Sequence, residues 1–381
     1  MRISLYIHFP FCLKKCLYCD FNSLAGSRIA AQEYAAAVVR EMELRAARLD
    51  GPATAATLYF GGGTPSLMEP GLVARLIEAA AKWFGLTAEA EITIEANPGT
   101  LTAGKLAGYR AAGVNRLSLG VQSFDDAMLS LLGRVHTARE ALDSFAAARG
   151  AGFNNIGIDL IHSLPGETPA GWRDELARAA GLRPEHVSAY GLTVEEGTPF
   201  HILRSEGRLS LPGEEEGELM FRETSEVLRE AGYEQYEISN FARPGFRSRH
   251  NQVYWRRGNY LGFGAGAHSF LRTPAFGVRW RNTISPEAYL RAVSGATLPE
   301  EDLIQLSERD AMAEFFFLGM RMLDGVELAQ FRRAFGRTVE EAYPGELARL
   351  AAGGLVECRE GVLRLTGKGV LMANQVFVRF V

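Results

Sequence analysis

The sequence predicts an α/β fold: a partial, TIM-like (β/α)6 barrel of parallel strands, followed by a C-terminal α+β region that resembles a winged helix. Over roughly the first 195 residues, short apolar segments alternate with helical patterns rich in Ala, Leu, Glu and Arg. Polar and glycine residues gather where each apolar segment ends, which is the edge where parallel barrels build active sites. Six units are fewer than the eight of a closed barrel, so we expect an open one.

The six strand-like segments are nearly continuous in apolar residues, as expected when helices cover the sheet. They begin at Ser4, Thr57, Glu91, Arg116, Asn155 and His186. Because a helical pattern separates each pair, the strands are expected to pair in parallel through right-handed crossovers.

From about Leu211 the pattern changes, and we divide the chain into residues 1–210, 211–300 and 301–381. The middle part reads as an amphipathic helix, the segment HNQVYW and an antiparallel hairpin that closes the barrel. In the last part, three helical patterns precede two short strands around a turn, which is the order expected of a winged helix.

Composition and charge narrow the class of protein. The chain has 381 residues, a net charge of −4 and no excess of basic residues, so a nucleic-acid partner is not expected. Its apolar runs are too short to cross a membrane, which leaves only peripheral membrane association open. The N-terminal segment MRISLYIHFPFC lacks the long apolar stretch of a signal peptide, so a cytoplasmic location is predicted.

Three of the four cysteines fall within eight positions, as C-x3-C-x2-C: Cys12, Cys16 and Cys19. Three thiolates cannot complete a tetrahedral structural zinc site, which needs four ligands. They can hold a four-iron cluster and leave one iron open to a small molecule. The alternative is a zinc knuckle whose fourth ligand is His8, Asp20 or Cys358.

Further polar groups follow the strands. The glycine-rich segment GGGTPS follows the second strand, and its lack of Cβ atoms lets backbone groups approach a ligand; a tight strand–helix connection is the alternative. Carboxylates suit a ribose diol and an arginine suits a carboxylate, although each such residue alone fits an ordinary surface position. The candidates at or near the strand ends are Glu95, Asn97, Gln122, Arg134, Asp159 and Tyr190.

The segment HNQVYW spans residues 250–255. If it is helical, His250 and Tyr254 share one face. Histidine and tyrosine are both axial ligands of haem iron, so a haem site is one interpretation. A polar hinge with an aromatic anchor is the other.

The motif C-x3-C-x2-C together with GGGTP resembles the radical S-adenosylmethionine superfamily. Within it, YIHFPFC, GVQSF and IDLIHSLPGET resemble the oxygen-independent coproporphyrinogen III oxidase group. The oxidases carry a further cysteine two positions after the third, where this chain has Phe21. By contrast, CDFNS, HNxxYW and TGKGVLMANQVFVRF resemble the HemW-type haem chaperones. The resemblance therefore favours a haem chaperone over an enzyme of porphyrin biosynthesis.

This resemblance implies three cofactors, a [4Fe-4S] cluster, S-adenosylmethionine and haem, and apo-haemoprotein clients that receive the haem. The cysteines Cys12, Cys16 and Cys19 are the implied iron ligands. The implied S-adenosylmethionine contacts come from Tyr6, Tyr18, Gly62, Gly63, Thr64, Glu95, Gln122, Arg134 and Asp159. The implied haem site comprises His250, Tyr254 and Trp255. The alternative function is radical oxidative decarboxylation of coproporphyrinogen III.

Overall fold

The computed structural model describes residues 1–381 and confirms the α/β partial barrel. The six predicted strands pair in parallel and in chain order. They are β1 (Arg2–Phe9), β2 (Thr54–Gly62), β3 (Leu86–Ala96), β4 (Arg116–Gln122), β5 (Ile156–His162) and β6 (His186–Gly191).

Helices connect these strands and cover the outside of the barrel. Several begin at strong caps: at the start of the helix Ala138–Gly150, the Thr137 hydroxyl accepts a hydrogen bond from the N–H of Glu140, and the Glu140 carboxylate accepts one from the Thr137 N–H. None of the helices has the length and apolar character needed to cross a bilayer. The helices up to residue 300 are α1 (Ala31–Ala46), α2 (Pro70–Phe84), α3 (Ala103–Ala111), α4 (Asp126–Leu132), α5 (Ala138–Gly150), α6 (Pro169–Gly181), α7 (Pro199–Ser205), α8 (Glu214–Glu230), α9 (Arg249–Trp255) and α10 (Pro286–Ser294).

A seventh parallel strand lies beside β1, and the sequence did not predict it. The residues opposite each other include Ser4 and Tyr260. The segment is only four residues long and contains glycine, so it lacks the long apolar run by which the other six were found. The later strands of the same twelve-stranded sheet are β7 (Glu234–Gln235), β8 (Asn240–Ala242), β9 (Tyr260–Phe263), β10 (His268–Leu271), β11 (Val278–Asn282) and β12 (Glu300–Gln305).

The sheet is open, and both of its edges continue into antiparallel strands. On one side β10, β11 and β12 follow β9, and on the other β8 and β7 follow β6. The predicted antiparallel hairpin is therefore present as β10 and β11. A buried carboxylate, Glu41 on α1, fixes this side by accepting hydrogen bonds from the Gly264 N–H (2.9 Å), Tyr289 Oη (2.7 Å) and Asn282 Nδ2 (2.7 Å).

The C-terminal region has its own apolar core of sixteen buried residues, in which the rings of Phe316 and Phe380 stack at 4.3 Å. A three-stranded antiparallel sheet packs beside its helices. The elements are α11 (Glu308–Gly319), β13 (Val326–Glu327), α12 (Leu328–Phe335), α13 (Val339–Ala342), α14 (Glu346–Ala352), β14 (Val356–Arg359), β15 (Val362–Leu365), α15 (Gly367–Leu371) and α16 (Ala373–Phe377). The division at residues 210 and 300 remains a prediction, since strands of the middle part belong to the barrel sheet.

Candidate functional site

A cavity of about 490 Å³, which we call the upper cavity, opens at the carboxyl ends of the parallel strands. The strand ends predicted to converge do so, because parallel strands place their carboxyl ends at one edge. The predicted site residues that line this upper cavity are Cys12, Cys16, Tyr18, Cys19, Gly62, Gly63, Thr64, Glu95, Gln122, Arg134 and Asp159.

The cysteine loop follows β1 directly and crosses the mouth of the upper cavity. Its three cysteines carry free, partly exposed thiols: Cys12, Cys16 and Cys19. Two backbone hydrogen bonds hold the loop in place: the Leu17 N–H donates to the Leu132 carbonyl at 3.1 Å, and the Phe200 N–H donates to the Leu17 carbonyl at 3.1 Å. The loop is therefore anchored at Leu17, between Cys16 and Cys19, to the ends of α4 and α7.

The glycine-rich segment after β2 packs its backbone directly against the cysteine loop. The Gly63 N–H donates to the Phe9 carbonyl (2.8 Å) and the Thr64 N–H donates to the Phe11 carbonyl (2.9 Å). The Thr64 hydroxyl lies 3.4 Å from the Cys12 Sγ. A Cβ on Gly63 would come within 2.8 Å of the Phe11 oxygen, so only glycine permits this approach.

Gly62 gives the first testable consequence of this packing. Its φ is +110°, and a Cβ there would lie 2.6 Å from the His8 ring. The Gly62→Ala variant is expected to lose roughly 2–4 kcal/mol in free energy of unfolding, from the left-handed backbone plus the clash. Denaturant titration measures this loss.

Gly113→Ala is the matched control, since Gly113 has a φ of +103° and open space around it. The control is expected to lose only about 1–2 kcal/mol, the cost of the left-handed backbone alone. Equal losses in the two variants would contradict the close packing of the glycine segment on the His8 ring.

Glu95 lies at the end of β3 in the wall of the upper cavity. Its carboxylate accepts from Tyr59 Oη at 2.8 Å and from the Gly62 N–H at 3.2 Å. Burial, together with the negative charge of Asp159, raises the pKa of the Glu95 carboxyl to about 7, although the two hydrogen bonds act in the opposite direction. Glu95 can therefore exchange a proton near neutral pH.

Asp159 and Arg134 face the same space from β5 and from the turn after α4. Ser118 Oγ donates to the Asp159 carboxylate at 2.9 Å, yet burial raises the pKa of this carboxyl above its usual value. Arg134 Nη2 donates to the Gly120 carbonyl at 2.6 Å, and its Nη1 lies 3.5 Å from the Cys16 Sγ. The Arg134 Nε is buried without a partner, so the guanidinium keeps a free donor for a carboxylate.

Gln122 ends β4 with a φ of +69°, an unfavourable backbone conformation for a residue with a side chain. Its amide lies against Gly120, where an added Cβ would be 3.0 Å from Nε2. Strained positions of this kind concentrate at binding sites, where surrounding structure holds them.

The residues present fit a cluster held by three thiolates. Free thiols stand on one loop, and Thr64 and Arg134 supply donors toward two of the sulfur atoms. The zinc alternative fits less well. His8 uses Nε2 on the Asn22 carbonyl (2.8 Å) and Nδ1 on Tyr6 Oη (3.0 Å). Cys358 lies in β14 of the C-terminal region.

Four predicted site residues do not line the upper cavity: Tyr6, His250, Tyr254 and Trp255. Tyr6 lies within the barrel, where its ring stacks on Tyr59 at 6.1 Å. The partly buried Trp255 indole lies under the Arg321 guanidinium of the C-terminal region, 4.4 Å from the ring centre, and its Nε1 has no hydrogen-bond partner. Their assigned ligand contacts remain predictions.

His250 is 1% exposed, and both of its ring nitrogens are occupied. Nδ1 pairs with Thr57 Oγ1 at 2.7 Å and Nε2 pairs with Tyr254 Oη at 2.8 Å. The ring stacks on Tyr59 at 4.9 Å, and burial lowers the pKa of His250 to about 3. The imidazole is therefore neutral and buried, and a role as iron ligand requires one of these hydrogen bonds to open.

Sequence reasoning missed several residues that line the upper cavity: Tyr59, Arg116, Ser118, His186, Ser188, Ser248 and Asn251. Most of them alternate along β2, β4 and β6 and point inward. The two-residue periodicity of a strand could therefore have predicted them from the sequence. Asn251 belongs to the HNxxYW motif but follows His250 by one position. Neighbours on a helix point in different directions, so only one of the two faces this cavity.

Residues 6–179 match the radical SAM superfamily and residues 306–372 match the HemN C-terminal domain. Over 99% of its length, the chain is 37% identical to the haem chaperone HemW of Bacillus subtilis and covers 98% of it.

The chain belongs to the HemW family of radical SAM proteins.

Similarity to this chain is not confined to bacterial proteins. The mitochondrial radical S-adenosyl methionine domain-containing protein 1 of Bos taurus is 38% identical over 85% of this chain and 74% of its own length. The crystal structure of coproporphyrinogen III oxidase (HemN) from Escherichia coli superposes with a TM-score of 0.84 at 26% identity, covering 99% of this chain and 89% of that one. The HemW-family chain therefore has the HemN fold, including the C-terminal region.

Proposed function

We propose that this protein is a haem chaperone that binds a [4Fe-4S] cluster, S-adenosylmethionine and haem, and delivers haem to apo-haemoproteins. Full-length similarity to curated HemW chaperones supports the proposal. The observation that favours a chaperone function over an oxidase function is Phe21, whose side chain is 62% exposed at the mouth of the upper cavity. The oxidase pattern has a cysteine there.

We propose that Cys12, Cys16 and Cys19 ligate the cluster. When bound, it would supply an open iron that holds the amino and carboxylate groups of S-adenosylmethionine. Donors from Thr64 and Arg134 would stabilise the negative charge of the thiolates. The remaining Arg134 donor suits a ligand carboxylate, and Glu95 suits a ribose diol or a ligand cation.

We propose that haem binds at α9, with His250 as the candidate axial ligand. Substituting this buried side chain with a small residue risks loss of folding, so His250→Gln is the sharper variant. Glutamine can still bond Thr57 and Tyr254 but ligates haem iron poorly.

If His250 is the ligand, the Gln variant is expected to lose at least about tenfold in haemin affinity, while its melting temperature stays near that of the parent. Thr93→Val is the control, because this buried hydroxyl has no hydrogen-bond partner and does not line the upper cavity; it is expected to keep the haemin affinity of the parent. A Gln variant with unchanged affinity and an unchanged Soret band would exclude His250.

The proposed function is tested by two assays on the anaerobically reconstituted protein. Haemin titration is expected to give a saturable Soret band near one haem per chain. Coproporphyrinogen III, with S-adenosylmethionine and a reductant, is expected to give no vinyl product. Vinyl product without saturable haem binding would reverse the proposal.

Radical oxidative decarboxylation of coproporphyrinogen III is the second candidate, because HemN of E. coli has the same fold over almost the whole chain. It would use the same cysteine loop. A Phe21→Cys variant provides a direct comparison: if the missing cysteine alone separates the functions, this variant gains oxidase activity.

A further inference from the structure

A second cavity of about 420 Å³ lies at the opposite end of the barrel. We call it the lower cavity; its walls come from the first residues of β1, the first half of β2, α9 and the segment before β9. With a rise of about 3.3 Å per residue, the eight residues of β1 put it roughly 20 Å from the cysteine loop. Its charged or polar lining residues are Arg2, Ser4, Thr57, Arg249, Gln252, Arg256, Asn259 and Arg272.

All charged residues of the lower cavity are arginines, and no aspartate or glutamate lines it. The guanidinium groups of Arg2, Arg256 and Arg272 make neither an ion pair nor a hydrogen bond within the chain. Arg249 reaches only two backbone carbonyls, of Glu89 at 2.6 Å and of Ala56 at 3.5 Å. Four positive charges around one cavity repel each other, so an anion bound among them is favoured.

Elsewhere in the same region, arginines are neutralised. Arg257, the neighbour of Arg256, pairs with Glu314 at 2.8 Å, and Arg279 pairs with the same carboxylate at 2.8 Å. The charge excess of the lower cavity is therefore local. It is a property of the side chains that face this space and not of the net charge, which is −4.

Helix α9 and the residue before it lie between the two cavities. Ser248 and Asn251 line the upper cavity, whereas Arg249 and Gln252 line the lower one. His250 connects to the lower cavity through Thr57, one of its lining residues, by the 2.7 Å hydrogen bond to Nδ1.

We infer that the lower cavity binds the two carboxylate groups of haem. This inference rests on the proposed function and deepens it, because it locates the anionic edge of the ligand. Arginine guanidinium groups bind carboxylates through paired, charge-assisted hydrogen bonds. The apolar lining residues Ile3, Ala56 and Val253 suit a ligand whose body is apolar and whose edge is anionic.

Paired variants test the site. Arg256→Ala with Arg272→Ala removes two charges whose side chains make no contact that folding needs, and Arg75→Ala is the control on α2. Haemin affinity of the double variant is expected to fall about tenfold for each lost guanidinium, and that of the control to stay unchanged. Equal haemin affinity in all three proteins would overturn the site.

A modified ligand provides a second test of the site. Haemin dimethyl ester lacks both carboxylates, so it is expected to bind the parent protein at least as weakly as haemin binds the double variant, and to bind both proteins equally. An ester that binds the parent as tightly as haemin would overturn the role of the carboxylates.

Inorganic pyrophosphate is the third probe. Competition with haemin in the parent, and none in the double variant, would support a shared anion site. Pyrophosphate binding that needs the two arginines, in a protein whose haemin binding does not, would overturn the haem assignment. A parent that binds no haemin at all would instead refute the proposed function.

Discussion

Replacing any one of Cys12, Cys16 and Cys19 with alanine is expected to reduce bound iron from about four atoms per chain to less than one. Each thiolate holds one iron, and the cysteine loop offers no replacement ligand of the same chemistry. Iron and sulfide analysis after anaerobic reconstitution measures the effect, together with the visible absorption of the cluster. S-adenosylmethionine binding is expected to fall with it.

Cys358→Ala is the matched control, since this exposed thiol lies in β14 of the C-terminal region. It is expected to keep its full iron content. Full iron in any one of the three loop variants would contradict the assignment of that cysteine, and iron loss in the control would point to a fourth protein ligand.

The second large effect concerns Glu95. Its pKa is about 7 in the folded protein, above the ordinary value near 4.5, because of burial. The folded state therefore holds a proton that the unfolded state releases between these two pH values, so the free energy of unfolding falls as the pH rises. The shift is worth up to about 3 kcal/mol between pH 5 and pH 8.

Glu95→Gln removes this titration, so the variant is expected to gain up to about 3 kcal/mol relative to the parent on going from pH 5 to pH 8. Denaturant titration of the cluster-free protein at both pH values measures the change. Glu89→Gln, an exposed carboxyl on the same strand, is the control and is expected to change little. Parallel pH profiles of Glu95→Gln and the parent would contradict a raised pKa.

The main sheet was predictable because its strands are long, apolar and separated by helical patterns. The position of Glu95 at the end of β3, and of Asp159 within β5 close to its end, followed from counting along those strands. Counting along the strands also predicted that the cysteine loop and the segment GGGTPS, which follow the first two strands, lie next to each other. In this barrel the six parallel strands lie side by side in chain order, so strand ends that are consecutive in sequence are neighbours in space.

Three features were not predictable, for physical reasons. The strand β9 is short and pairs with β1, which lies about 250 residues earlier in the chain, so no local sequence pattern predicts this pairing. The lower cavity gathers Arg2, Arg249, Arg256 and Arg272 from three parts of the chain, and an exposed arginine alone has no positional signal. The occupied ring nitrogens of His250 also depend on Thr57, a contact that only the folded barrel creates.

Haem transfer tests the central claim most directly. The protein, reconstituted with its cluster and loaded with one haem, is mixed with the apo-form of a haem enzyme prepared from haem-starved cells of the same source. The account predicts that enzyme activity returns faster, and to a higher level, than with the same concentration of free haemin or with haem-loaded serum albumin. Recovery no faster than these controls would contradict a chaperone function.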